Sequence, residues 1–155
     1  MLQRILGIDP GTIRTGYGLL DAEGTHAKFL TCGAIALRSS YPIGKRLWKI
    51  HQDLLSIVAS WNPDVIAIEE PFMPTAKSDN GEFRTTFRSV MAIGQASGVA
   101  LMVGAAAGIP TFRYTPTQVK TTVVDYGRGS KAQVQEMVRL ILGLEDPPVP
   151  SDAAD

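Results

Sequence analysis

The chain has 155 residues, of which 45% are apolar, and its 15 basic and 15 acidic side chains give a formal net charge of zero. This length and apolar content predict one domain with a real core, and the neutral balance argues against a protein that coats nucleic acid without specificity. Cys32 is the single cysteine, which excludes an internal disulfide and predicts a reducing compartment, the cytoplasm. The first residues lack an apolar run long enough for a signal peptide.

Three apolar runs at the start of the chain predict an antiparallel meander. They cover residues 3 to 9, 16 to 20 and 28 to 35, and turn-forming residues separate them. After Pro42 the apolar residues follow helical spacing as far as Trp61, and Asn62 with Pro63 ends that helix. A short apolar strand then follows, of the kind found in a sheet covered on both faces.

The second half of the chain predicts three more helices and one more strand. A helix is expected from about residue 82 to 107, then a strand over 111 to 114. Two capping boxes, Thr115 with Gln118 and Ser130 with Gln133, predict the starts of the next two helices. The expected order is βββαβαβαα, and Ser151 is a candidate N-cap for a last helix of which one turn is present.

The uncharged stretch from residue 90 to 109 raises the question of a membrane helix. It contains two Gly-x-x-x-Gly spacings, which are common where helices pack closely in membranes. Half of the stretch is Gly and Ala, however, with Gln95 and Ser97 inside it, and this is too weakly apolar for insertion. We therefore expect a closely packed buried helix, at a subunit contact, and no membrane span.

Four carboxylates are the candidate functional residues. Asp9 closes the first apolar run, Glu69 closes the run at residues 65 to 68, and Asp152 and Asp155 lie in the terminal Ser-Asp-Ala-Ala-Asp. Mg²⁺ takes oxygen ligands, and in-line cleavage of a phosphodiester is served by two such ions about 4 Å apart. The four acids therefore predict a two-metal site, provided that the fold brings three distant segments together.

Each acid also has an ordinary structural interpretation. Asp9 precedes Pro10 and Gly11, as in many turns, and two acids in a first helical turn suit the helix dipole. Glu69 is harder to explain in this way, because a carboxylate ending a buried strand is unfavourable unless it binds something. Strand alternation sends Glu69 and Glu70 to opposite faces, so Glu70 is expected to be solvated or salt-bridged.

Six collinear motifs carry a resemblance to a known family. They are Leu-Gly-Ile-Asp-Pro-Gly-(x)₄-Gly-Tyr-Gly at 6 to 18, Ala-Ile-Glu-x-x-Phe at 67 to 72, Gly-Gln-Ala-x-Gly-Val-Ala at 94 to 100, Gln-Val-Lys at 118 to 120, Lys-x-x-Val-Gln-x-Met-Val at 131 to 138 and Asp-Ala-Ala-Asp at 152 to 155. Together they resemble the RuvC family of bacterial Holliday junction resolvases, in the ribonuclease H-like superfamily. The chain departs from the family in a loop between Phe72 and Gly94 about ten residues longer than usual, and in stopping where the last helix of the family continues.

The resemblance implies an α/β fold: a mixed five-stranded sheet, made of the antiparallel meander plus parallel strands, with helices on both faces. It implies one nuclease domain over residues 1–155 with its last helix truncated. It implies an endonuclease that resolves four-way DNA junctions by paired nicks, with two Mg²⁺ ions for which Mn²⁺ substitutes. The implied partners are junction DNA, a second copy in a homodimer and a branch-migration helicase.

The resemblance also implies roles for individual residues. Asp9, Glu69, Asp152 and Asp155 match the metal-binding catalytic acids, and Phe72 matches an aromatic that acts on the junction bases. Lys120 and Lys131 match basic residues at the scissile phosphate or on DNA, with Lys131 also counted as catalytic. Arg84, Arg88 and Arg128 are further candidates for phosphate contacts, although surface charges of this kind are usually only solvated.

Two other classes of function remain open from the residues alone. The first glycine loop also resembles a phosphate loop of the actin-like ATPases and sugar kinases, although a second such loop is not found in the sequence. The other alternative is a protein that binds junctions without cutting them.

Overall fold

The computed structural model describes residues 1–70, 87–124 and 131–147. Within them lie five strands and four helices in the predicted order: β1 (Gln3–Asp9), β2 (Arg14–Glu23), β3 (His26–Ala36), α1 (Ile43–Trp61), β4 (Val65–Glu69), α2 (Phe87–Ala106), β5 (Thr111–Tyr114), α3 (Pro116–Val124) and α4 (Lys131–Leu142). β2 and β3 are longer than the sequence predicts, because their backbone ladder continues past the apolar residues as far as the pair Glu23 and His26.

The five strands form one mixed sheet in the order β3-β2-β1-β4-β5. The first three strands are the predicted antiparallel meander, while β4 is parallel to β1, and β5 is parallel to β4. The carboxyl ends of β1, β4 and β5 therefore lie at the same edge of the sheet. This arrangement confirms the predicted mixed five-stranded sheet.

The main core lies between the sheet and the helices α1 and α2. Alternate residues of β1 and β4 point into it, among them Leu6 and Ile66, which are both fully buried. α1 contributes the buried residues Ile50, Leu54 and Val58 at helical spacing, and α2 contributes Ala96, Ala100 and Val103. Val134 of α4 is fully buried too, outside this cluster, and α4 packs against β3 and α3.

The predicted burial of α2 holds for one face only. Gly104 contacts the sheet closely, since a Cβ there would meet the hydroxyl of Thr111 and lie 3.3 Å from Cδ1 of Ile66. The opposite face exposes Met91 and Met102, each by about half of its surface. Among the described residues, the segment Arg88–Ala106 is long and apolar enough to cross a membrane by length and composition, a test that a core helix also passes. Its packing on the sheet makes it a core helix.

Arg4 links the amino end of β1 to its neighbours. Its Nε and Nη2 donate hydrogen bonds to the carboxylate of Asp21 at 2.8 and 3.1 Å, and its Nη1 donates to the carbonyl of Trp61 at 2.9 Å. The backbone of Arg4 also exchanges two hydrogen bonds with Asp64. These contacts hold β1, β2 and the end of α1 together, at the end of the strand opposite to Asp9.

Candidate active site

Asp9 and Glu69 end two neighbouring parallel strands on the same face of the sheet. The register of β1 and β4 pairs Ile8 with Ile68, and the two acids are the next residues on each strand. Because Ile8 and Ile68 point into the core, alternation sends both acids to the opposite face. Neighbouring strands lie about 4.8 Å apart, so both carboxylates can bind the same ion or two adjacent ions.

The surface around the two acids is formed by very small residues. Gly16 is paired with Asp9, Gly18 with Gly7, and Gly7 in turn with Ala67 of β4. We call the sheet surface that contains these residues and the two carboxylates the acid face. Nothing larger than a methyl group stands at those four positions, so another segment or a substrate can approach the backbone beside Asp9 closely.

The turn that follows Asp9 is held by specific contacts. The hydroxyl of Thr15 donates a hydrogen bond of 2.7 Å to the carbonyl of Gly11, and both Thr12 and Thr15 are buried. Gly11 cannot carry a side chain without displacement, since a Cβ would collide with the carbonyl oxygen of Arg14. Arg46, in the first turn of α1, donates from Nη1 to the hydroxyl of Thr12 at 3.0 Å and from Nε to the carbonyl of Tyr41 at 3.1 Å. These contacts therefore hold the turn that follows Asp9 in one conformation.

Glu70 is engaged on the other side of the sheet. Its Oε1 lies 3.1 Å from Nε of Arg113 on β5, and its backbone N–H donates to the carbonyl of Tyr114 at 2.8 Å. The prediction of a solvated or salt-bridged Glu70 is thus confirmed. Glu69 is left as the acid that β4 contributes to the acid face.

The structure brings only part of the predicted site together. Lys120 is half-buried on α3, the helix that leaves the carboxyl end of β5, while Arg88 is exposed at the start of α2 and Lys131 is the first residue of α4. Phe72, Arg84, Arg128, Asp152 and Asp155 lie outside the described residues. Within the described ranges no three His, Cys, Asp or Glu side chains form a group that could hold a metal ion. Asp9 and Glu69 are therefore the two predicted ligands whose relationship the fold defines.

Two features of this region did not emerge from sequence patterns. The contact of Arg46 with Thr12 joins residues 34 positions apart, and no local pattern indicates it. Tyr114 lies on the acid face, because the register of β5 pairs it with Glu69. Strand alternation could have predicted part of this, because it places Phe112 and Tyr114 on one side of β5 and Thr111 and Arg113 on the other.

Comparison with known proteins agrees with this geometry. A sheet of this order with two acids at the carboxyl ends of adjacent strands fits a ribonuclease H-like nuclease. The family model "Crossover junction endodeoxyribonuclease RuvC" matches residues 5–155. The RuvC protein of Syntrophomonas wolfei is 43% identical to this chain, and the match covers 98% of this chain and 83% of the relative. The RuvC protein of Rubrobacter xylanophilus is 40% identical, and the match covers 99% of this chain and 80% of the relative.

Comparison with solved structures also finds RuvC proteins. RuvC of Thermus thermophilus superposes with a TM-score of 0.79 at 32% identity, covering 98% of this chain and 87% of its own. The same protein in complex with a Holliday junction substrate superposes with a TM-score of 0.85 at 30% identity, and the match covers 99% of this chain and 87% of that structure. The chain belongs to the RuvC family of crossover junction endodeoxyribonucleases, and it is a nuclease.

Proposed function

We propose that this protein resolves four-way DNA junctions in recombination and repair, by nicking two strands at symmetric positions. The observation that carries the proposal is the placement of Asp9 and Glu69 on one sheet face, one residue beyond the registered pair Ile8 and Ile68. Two acids so placed can share metal ions on a surface that a DNA strand can reach. The relatives that match nearly the whole chain are named for this activity.

The site that we propose combines four acids and two divalent ions. Asp9 and Glu69 are joined as ligands by Asp152 and Asp155, and the four acids would together hold Mg²⁺, with Mn²⁺ as a substitute. Divalent ions held by these carboxylates would supply Lewis-acid chemistry, by activating water and by stabilising the leaving 3′ oxygen. The residues of the protein would position the ions and the phosphate.

We assign the DNA contacts to one aromatic and two basic residues that the family motifs match, and to two further arginines. Phe72 acts on the junction bases, and Lys120 and Lys131 neutralise phosphates near the cut, with Lys131 also acting in catalysis. Arg84 and Arg88 contact the phosphates of the arms. The position of Lys120 supports this assignment, since α3 begins two residues after Tyr114 at the carboxyl end of β5.

The active form that we propose is a homodimer, in the cytoplasm and together with a branch-migration helicase. A four-way junction has two-fold symmetry, so two equivalent sites are needed. The exposed face of α2 supports a subunit contact here, because Met91, Gly98 and Met102 follow helical spacing on it and a Cβ at Gly98 would meet open space. We propose that residues 1–155 form one nuclease domain.

A nicking assay on a synthetic four-way junction tests the proposal. We expect paired nicks in the presence of Mg²⁺, none in EDTA, and none on the matched linear duplex. Junction binding without nicking in Mg²⁺ or Mn²⁺ would favour a binding protein instead. Sedimentation equilibrium of the wild type and of Met102→Glu tests the dimer, which we expect the charge to weaken.

A further inference from the structure

The edge strand β5 presents two aromatic side chains on the acid face. The parallel register with β4 pairs Phe112 with Ala67 and Tyr114 with Glu69. Phe112 is 52% exposed and Tyr114 is 42% exposed. Tyr114 therefore lies one strand away from Glu69, at a backbone spacing of about 4.8 Å, with its ring open to solvent.

A backbone hydrogen bond holds Tyr114 beside β4, and the neighbouring side chain points to the opposite face. The neighbouring Arg113 points away from the acid face and forms the ion pair with Glu70. The carbonyl of Tyr114 accepts a hydrogen bond of 2.8 Å from the backbone of Glu70. The last residue of β5 is thus tied to the residue after Glu69, so the backbones from which the ring and the carboxylate project keep a constant spacing.

A partly exposed aromatic ring beside phosphate-handling acids fits a nucleobase. Bases near a junction point can leave the helical stack, and an aromatic ring offers them a surface that every base can use. A basic residue, Lys120, follows on α3, and a lysine there can attract the phosphate backbone of the same strand. A protein partner fits this place less well, since the acid face must stay open to DNA for cleavage.

We propose that the ring of Tyr114 stacks on the base of a nucleotide next to the scissile phosphate and so positions that phosphate over Glu69. This inference rests on the proposed function, because it takes Glu69 as part of the nicking site. It predicts that the aromatic ring matters and that the hydroxyl group does not.

The matched variants Tyr114→Phe and Tyr114→Leu test the inference. The first keeps the ring, and the second keeps an apolar side chain without a π-face. We expect Tyr114→Leu to raise the half-saturating enzyme concentration in single-turnover nicking by about 5- to 150-fold, as expected for the loss of one stacked base. We expect Tyr114→Phe to stay within about 2-fold of the wild type. If Tyr114→Phe is as defective as Tyr114→Leu, or Tyr114→Leu equals the wild type, stacking is refuted.

A spectroscopic readout separates stacking from a merely structural role. A fluorescent base analogue is placed on either side of the mapped nick, and its emission is followed on binding in EDTA. The emission should change with the wild type and Tyr114→Phe, and it should stay unchanged with Tyr114→Leu. If Tyr114→Leu does not fold, Tyr114→Ile replaces it, because a β-branched residue suits an edge strand.

Two controls locate the cause of a failure. Phe112→Leu alters an aromatic on the same face, about 6.6 Å further from the carboxyl edge, and it should leave the half-saturating concentration unchanged. An equal defect in Phe112→Leu would overturn the assignment to Tyr114. Glu69→Gln tests the proposed function separately. If Glu69→Gln nicks normally, the assignment of the nicking site fails. If Glu69→Gln is inactive while Tyr114→Leu nicks normally, only the stacking is refuted.

Discussion

Arg46 donates a hydrogen bond of 3.0 Å to the hydroxyl of Thr12, and this contact joins the first turn of α1 to the turn that follows Asp9. The same guanidinium also donates to the carbonyl of Thr12 at 3.4 Å and to that of Tyr41 at 3.1 Å. Thr12 is only 5% exposed, so its hydroxyl has little access to water. The turn that follows Asp9 is therefore tied to a side chain from a different layer of the fold.

Thr12→Val should loosen this turn, with Thr12→Ser as the control that keeps the acceptor. Val preserves the shape but leaves Arg46 without one partner, which is expected to destabilise the protein by about 1 to 3 kcal/mol. We also expect more Mg²⁺ to be needed for half-maximal nicking, measured well below the melting temperature. An unchanged Mg²⁺ requirement in Thr12→Val would mean that the contact serves stability alone.

Glu69→Gln should abolish nicking and keep junction binding within a few-fold. The substitution removes one negative ligand without changing shape, and metal-ion catalysis supplies several kcal/mol, so the nicking rate should fall by about two orders of magnitude or more. Affinity comes mostly from phosphate contacts elsewhere. Glu70→Gln is the matched control, because Glu70 pairs with Arg113 on the other face and its loss should leave the rate nearly unchanged. Equal loss of binding and nicking in Glu69→Gln would contradict its role as a ligand.

Lys120→Ala should weaken the dependence of junction binding on salt. One phosphate contact contributes a slope of about 0.9 in a plot of log affinity against log salt concentration for duplex DNA, so the variant should lose about that much. Arg139→Ala is a suitable control, because Arg139 is already paired with Glu136 at 2.7 Å. If binding and nicking of Lys120→Ala both match the wild type at every salt concentration, Lys120 is an ordinary surface charge.

The ion pair of Arg4 and Asp21 should make stability depend on pH. The hydrogen bond from Arg4 lowers the pKa of the Asp21 carboxyl below its usual value. The unfolded chain then binds the proton more readily, so the stabilisation is complete above the ordinary Asp pKa of about 3.9 and is lost as the pH falls through the lower folded pKa. Urea denaturation of wild type and Asp21→Asn between pH 7 and pH 2 measures this. The difference in unfolding free energy should shrink toward low pH, and a constant difference would exclude the linkage.

The sequence alone determined the features that depend on neighbouring residues. The capping box is one example: Gln118 accepts from the backbone of Thr115 at 2.8 Å and donates to its hydroxyl at 3.2 Å, as the spacing predicted. The separation of Glu69 and Glu70 to opposite faces is another, since strand alternation is local. The family motifs predicted which acids bind metal ions, because six short patterns in order are far more specific than any single pattern.

Only the tertiary structure decided which of these residues meet. Asp9 lies beside Glu69 because β4 pairs with β1, although the 19-residue helix α1 separates the two strands in the sequence. Tyr114 lies beside Glu69 because β5 pairs with the other edge of β4. Arg46 reaches Thr12 because α1 starts over the turn that follows β1. Local patterns predict a strand but not its neighbour, since strand order and register are set by how the whole apolar surface is buried at once. The elements could therefore be predicted from the sequence, while the composition of the acid face required the fold.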